Sequence, residues 1–251
     1  MSAKDVWAAG DYAAIAPHLL SASEAVVEAA ALTPGETVLD VACGTGNATL
    51  LAAQAGAITT GLDITPELLE IARDRTPELE FVEGDAQDLP FPDGHFDAVI
   101  SVFGCIFAPD HQRTAAELAR VGRRIVVAAW TPDGTAARMT ETIGRHVPGP
   151  PGPSPAQWGD EDYVRTLFPN HELSVTRGAV RFRLGTPEAA ARFYTTVFPP
   201  LVLARPRVAD WDALTNDLER FFETVWDGDG YDAGYLILSA AEESGSGRTS
   251  R

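Results

Sequence analysis

Cationic side chains are scarce in this chain. Nineteen Lys and Arg stand against 36 Asp and Glu, for a formal net charge of −17. A surface of that sign repels phosphates, which argues against a nucleic-acid partner and against an anionic membrane surface. Cysteine is scarce too: Cys43 and Cys105 are the whole complement. They supply neither a disulfide framework nor a metal-ligand spacing, and both fall in core turns or strands where buried thiols are at home. Long apolar runs are missing, since nothing reaches the ~20 residues that a spanning helix needs. The N-terminus reads without a secretory signal. These absences predict a cytoplasmic protein with no bound metal. What is present is 251 residues, 45% of them hydrophobic, enough to bury one substantial α/β core.

The chain turns on residues 38–47, Val-Leu-Asp-Val-Ala-Cys-Gly-Thr-Gly-Asn. The apolar run 37–41 predicts a buried strand, and a helical pattern starts at Ala48 and is placed to stop at Gly56. Strand, glycine turn and helix form a nucleotide-site layout. Gly44 and Gly46 accept backbone angles that a side chain forbids and let a ligand approach the main chain. The free N–H groups of the new helix attract a carboxylate or phosphate. The places of the dinucleotide fingerprint hold Ala42, Gly44 and Asn47, so its third glycine is absent.

A second strand, 57–63, ends on Asp63 about twenty residues after the turn, where an acid bonds ribose hydroxyls in doubly wound folds. Thr65 and Pro66 then suit the cap and first position of a helix. Three stretches now stand in order: Asp40 to Gly46, Gly61 to Ile64, and Glu83 to Phe91. Together they resemble the ordered motifs of class I S-adenosylmethionine-dependent methyltransferases, in the type 11-like branch that holds quinone and small-molecule enzymes. The resemblance runs from about residue 37 to 130.

The resemblance implies a Rossmann-like, doubly wound sheet of seven strands in the order 3-2-1-4-5-7-6, with strand 7 antiparallel, plus a helical lid. One methyltransferase domain is expected over 1–243. Its cofactor core covers about 36–130, with lid and acceptor segments at about 1–31, 131–159 and 186–230, and a disordered tail at 244–251. It implies S-adenosyl-L-methionine as cofactor and S-adenosyl-L-homocysteine as product. The cofactor would be held by Tyr12, Asp40, Ala42, Gly44, Gly46, Asp63, Ile64, Asp85, Ala86 and Ser101. Of these, Asp85 would receive the adenine amino group, and the backbone near Ser101 and Val102 would accept from the methionine ammonium. Trp7 and Tyr12 could approach the sulfonium, because an electron-rich ring face attracts a cation. Family members carry a longer Pro-Gly-Gly turn before the fifth strand, where this chain has Arg120-Val121-Gly122-Arg123-Arg124.

Around that core the residues predict one helical segment over 1–31, divided near Pro17, then helix 66–75, strand 79–83, strand 96–103, a helix capped by Asp110, and strand 124–130. Residues 131–159 read as loose, with the proline-rich run 148–155 unable to be helix. Helix 160–168, strand 173–184, helices 188–202 and 211–226, and strand 235–240 follow.

Methyl transfer from a sulfonium is an in-line displacement, and alignment is the enzyme's main task. The acceptor is expected to be a small molecule, and the chain a monomer or homodimer. Ser101-Val102-Phe103-Gly104 lacks the Asn/Asp-Pro-Pro-Tyr/Phe signature of exocyclic amine methylation, which argues against a DNA or glutamine N-methyltransferase. With the acidic surface and large variable lid, oxygen is expected as the acceptor atom over carbon or nitrogen. His111 and His146 are the candidate general bases, with surface or helix-start roles as the plainer alternative. Trp130, Trp158, Tyr163, Phe193 and Tyr194 could line an apolar acceptor pocket. Two other readings stay open: a non-methylating cyclase or scaffold on the same fold, and a peptide methyltransferase.

Overall fold

The structure is a computed structural model that describes residues 3–147, 149 and 152–242. Seven strands form one sheet: β1 Thr37–Val41, β2 Ile58–Asp63, β3 Glu80–Glu83, β4 Ala98–Val102, β5 Arg124–Trp130, β6 His171–Phe182 and β7 Tyr231–Glu242. Their order is β3-β2-β1-β4-β5-β7-β6, as expected. The first five are parallel, and β7 runs antiparallel to both β5 and β6. The central parallel strands read as apolar runs because helices cover both faces. Val38, Leu39, Val99, Ile100, Ile125 and Val126 are all fully buried.

The helices are α1 Ala3–Trp7, α2 Tyr12–Ile15, α3 Leu20–Ala29, α4 Asn47–Gln54, α5 Pro66–Arg75, α6 His111–Val121, α7 Thr135–Gly144, α8 Glu161–Leu167, α9 Pro187–Val197, α10 Pro199–Ala204 and α11 Trp211–Val225. Among the described residues no helix is long and apolar enough to cross a membrane.

Several expected boundaries are corrected. The segment 1–31 is not one helix divided at Pro17. It breaks first at Gly10, whose φ of +87° ends α1, and Asp11 then caps α2 by accepting from the Ala14 N–H at 3.1 Å. A 3₁₀ turn, Ala16–Leu19, carries Pro17 near its start, where a missing N–H costs little. The stretch read as loose, 131–159, contains α7. Its cap is Gly134 with no side-chain bond, so no start signal stands in the sequence, and Met139, Thr142 and Ile143 hold it by burial. Helix 188–202 is two helices, because Phe198 precedes a proline and is held extended at φ −71°, ψ 113°. Strand β4 stops at Val102 because Phe103 adopts φ +57°. Strand β7 starts at Tyr231, four residues before the expected start, since Gly234 hid a strand that pairs with β6 along its length. Thr65 stands at the cap of α5 without a side-chain capping bond. The short turn after α6 closes through Arg120, which donates to the carbonyls of Leu89 and Phe91 and pairs with Glu117 and Asp93. The expected tail at 244–251, and residues 148, 150 and 151 of the proline-rich loop, lie outside the described residues.

Candidate active site

Strand β1 delivers Asp40 and Val41 to the carboxyl edge of the sheet, and the next residues reverse the chain into α4. Ala42, Gly44 and Gly46 all take positive φ, at 56°, 55° and 83°. For Ala42 such a conformation is strained and persists only where the surroundings enforce it. Gly44 has a second reason to lack a side chain: a Cβ there would stand 3.0 Å from Cε1 of Tyr12. The Tyr12 ring is thus seated directly on the turn. Arg75 clasps the outside, donating to the Thr45 carbonyl at 2.6 Å and to Asn47 Oδ1 at 3.0 Å.

Two carboxylates lie buried beside this turn. Asp63 ends β2 and is 6% exposed. Its Oδ2 accepts from the Gly44 N–H at 2.9 Å, and its Oδ1 accepts from the Thr65 N–H at 2.8 Å. Burial holds its pKa above the ordinary carboxylate value, against the lowering effect of those two amides. Each oxygen keeps a further lone pair. Asp40 accepts from Thr49 Oγ1 at 2.7 Å, and burial pushes its carboxyl up to about 7, with the charge of Asp63 adding to the effect. Two desolvated acids side by side favour a cationic guest.

One cavity of about 530 Å³ opens here. Tyr12, Ala42, Gly44, Asp63, Ile64, Asp85 and Ala86 are on its wall, as expected of cofactor-holding residues. The Asp85 carboxylate is steadied by Gln87, which gives Oδ1 its backbone N–H at 2.9 Å and its side-chain amide at 3.1 Å. Asp40 faces a second, smaller cavity of about 20 Å³ shared with Tyr12 and Ala42, room for about one water. Gly46 reaches neither cavity: it turns the chain, with Phe81 packed where its side chain would be.

Other expected site residues stand elsewhere. Ser101 is fully buried behind the wall, donating to the Val41 carbonyl at 2.7 Å and accepting from the Cys105 N–H at 3.1 Å. It staples β4 to β1, and its neighbour Val102 faces the small cavity. His111 is 2% exposed and off the wall, with Nδ1 3.0 Å from the Tyr163 hydroxyl and its ring against Trp158. Burial lowers its pKa. His146 sits past the end of α7, with Nε2 2.7 Å from Asp217 Oδ2, also off the wall. Neither of the two histidines lines the cavity. Among the five aromatics expected in the pocket, Trp130 and Tyr194 line it, and Trp158, Tyr163 and Phe193 do not.

The cavity is also lined by residues that sequence reasoning missed: Phe103, Met139 of α7, Phe182, Phe198 and Tyr231. Phe103 was findable, since ligands bind beyond the carboxyl ends of strands in open α/β sheets. The rest come from elements whose docking no local spacing encodes.

Residues 39–125 match the family model of a methyltransferase domain. Protein Rv1403c of Mycobacterium tuberculosis (strain H37Rv), itself uncharacterized, is 42% identical over 220 residues, covering 82% of this chain and 80% of its own. Demethylmenaquinone methyltransferase of Renibacterium salmoninarum is 39% identical over 109 residues, covering 42% of this chain and 46% of its own. Among solved structures, the [4+2]-cyclase SpnF superposes with a TM-score of 0.62 at 23% identity, covering 90% of this chain and 82% of that one, a likeness of fold. The chain belongs to the class I S-adenosylmethionine-dependent methyltransferases, in the type 11-like branch. Its cofactor is S-adenosyl-L-methionine. The residues fit that group: buried Asp63 keeps free acceptor sites on the cavity wall, the adjoining acids suit a sulfonium and an ammonium, and the Tyr12 ring lies over the turn.

Proposed function

We propose that the protein transfers a methyl group to an oxygen of a small, flat, apolar acceptor. One observation carries this reading: the cavity lined by the cofactor-motif residues is also lined by Phe103, Trp130, Met139, Tyr194 and Tyr231. Asp63 would hold the ribose hydroxyls, Asp85 and Ala86 the adenine edge, and Asp40 and Tyr12 the methionine end. The bound cofactor supplies an electrophilic methyl, and the protein's contribution is to align the acceptor with it and keep water out. No histidine lines the cavity among the described residues, so the reading favours acceptors whose hydroxyl ionises readily, such as phenols and enols.

The [4+2]-cyclase SpnF shares the fold, so the fold by itself does not fix the chemistry. Turnover decides. The protein is incubated with S-adenosylmethionine and a panel of phenols, amines and thiols, and S-adenosylhomocysteine is quantified. Formation above the acceptor-free rate with phenols supports the proposal. Cofactor binding without product formation for any acceptor favours the cyclase or scaffold reading.

A further inference from the structure

Tyr194, on α9, is 5% exposed, and Tyr231, opening β7, is 2% exposed. Their hydroxyl oxygens are 2.5 Å apart, and both residues line the cavity. Two hydroxyls carry two protons. One lies in the bond between them, and the other has no protein acceptor among the described residues. A buried donor left unpaired is expensive, about 1–3 kcal/mol.

The rings packed around the pair offer that proton no acceptor atom. Phe182 is stacked on Tyr231, 5.1 Å between centroids at 7°. Phe222 is stacked on Tyr194 at 5.6 Å, and Phe198 meets Tyr194 edge-on at 6.0 Å. These neighbours are hydrocarbon. Both residues line the cavity, so an acceptor can reach the pair from there. Burial pushes both phenols above their ordinary pKa, so the pair stays protonated and acts as a donor, not a base.

A second feature gives the guest its shape. Phe103 and Trp130 lie parallel, 3.7 Å between centroids and 2° apart in plane, with Tyr235 edge-on to Phe103. Both rings of that stack reach the cavity wall. The Phe103 ring is presented there by a backbone at φ +57°, a conformation costly for a bulky side chain. A flat apolar slab and a buried hydroxyl donor in one cavity suit a flat conjugated molecule bearing an oxygen.

We propose that Tyr194 and Tyr231 form the acceptor-binding end of the cavity, donating one hydrogen bond to an oxygen of a planar hydroxylated ring. The proposal deepens the methyl-transfer reading above and rests on it for the identity of that ligand as the acceptor. The pair positions the acceptor and moves no proton.

The test uses the full chain with 2-naphthol and its hydroxyl-free parent, naphthalene, as probes. Calorimetry is run with saturating S-adenosylhomocysteine and again without it, so the tyrosines are judged whether or not the cofactor product binds. The wild type should prefer 2-naphthol by about tenfold, the worth of one hydrogen bond. The double variant Tyr194→Phe with Tyr231→Phe should bind both probes alike, with S-adenosylhomocysteine affinity unchanged. Of the two single variants, the one that loses the preference identifies the tyrosine whose proton is free. Melting curves check that these ring-conserving variants fold, and the single variants stand in if the double one does not. A preference that survives the double substitution overturns the proposal, as does a wild type that binds naphthol no better than naphthalene. Failure of the wild type to bind S-adenosylhomocysteine would instead overturn the methyl-transfer reading.

Discussion

Asp40 should make the protein less stable at neutral pH than in mild acid. Its carboxyl has an ordinary value of 3.8 and is pushed up to about 7 by burial in the folded state. The folded chain therefore binds that proton more tightly than the unfolded one. The resulting stability is fully present below pH 3.8 and is lost as pH rises through about 7. At 1.36 kcal/mol per pH unit of difference, the loss is about 4 kcal/mol. Asp40→Asn removes the titration while keeping a side-chain oxygen for the Thr49 hydroxyl. The assay is urea unfolding of both proteins at pH 4.5 and pH 8. The variant's advantage should be about 3 kcal/mol larger at the higher pH, or roughly 6–12 °C in Tm for a chain of this size. A difference between the two proteins that does not change with pH would refute the reasoning. The same substitution should weaken S-adenosylhomocysteine binding, because the stability is given up to keep a carboxylate at the site.

Asp63→Asn should cost about ten- to a hundred-fold in S-adenosylhomocysteine affinity, the worth of roughly 1.5–3 kcal/mol for bonds to a charged acceptor. Unchanged affinity by calorimetry would move the ribose elsewhere. His111→Asn and His146→Ala should leave the pH profile of kcat unmoved, since neither ring lines the cavity. A profile that loses an ionisation in either variant would restore that histidine to the chemistry. The first substitution should lower Tm through the lost contact with Tyr163, and the second through the lost bond from the segment after α7 to Asp217 of α11.

The cofactor half of the molecule was legible because its signals are local. A strand buried on both faces writes itself as an apolar run, so β1 and β5 have the boundaries that their residues predict. The turn after β1 needs left-handed backbone, and two of its three such positions are glycine. The cap at Asp110 is read from residue type and confirmed by the bond it accepts from Arg113 at 3.0 Å. The acceptor half has no such local grammar. Helix α7 begins on a glycine without a capping side chain, and its helicity is decided by what it packs against. Tyr194 and Tyr231 meet across 37 residues of chain, a distance that no spacing rule covers. His111 misled for a related reason. Sequence places it at a helix start near the ligand edge, but the way the helix packs turns its ring toward Trp158 and Tyr163.

One of the contacts between the two halves is a backbone hydrogen bond, and it explains why α1 and α2 belong to the site. The Asp11 N–H donates to the Val197 carbonyl at 3.0 Å, on the last turn of α9. Gly10 makes the approach feasible, since a Cβ there would stand 2.7 Å from that same carbonyl oxygen. One residue later, Tyr12 lies against Gly44 of the cofactor turn. Three residues before Val197 on the same helix, Tyr194 carries one hydroxyl of the buried pair. The N-terminal segment therefore links the turn that fits the cofactor to the helix that carries Tyr194. In-line transfer loses rate steeply with misplacement of even an ångström, so a backbone link between the cofactor turn and α9 bears on alignment. The main-chain part of this link survives any substitution at Val197 except through a change of backbone, because every residue type provides the carbonyl.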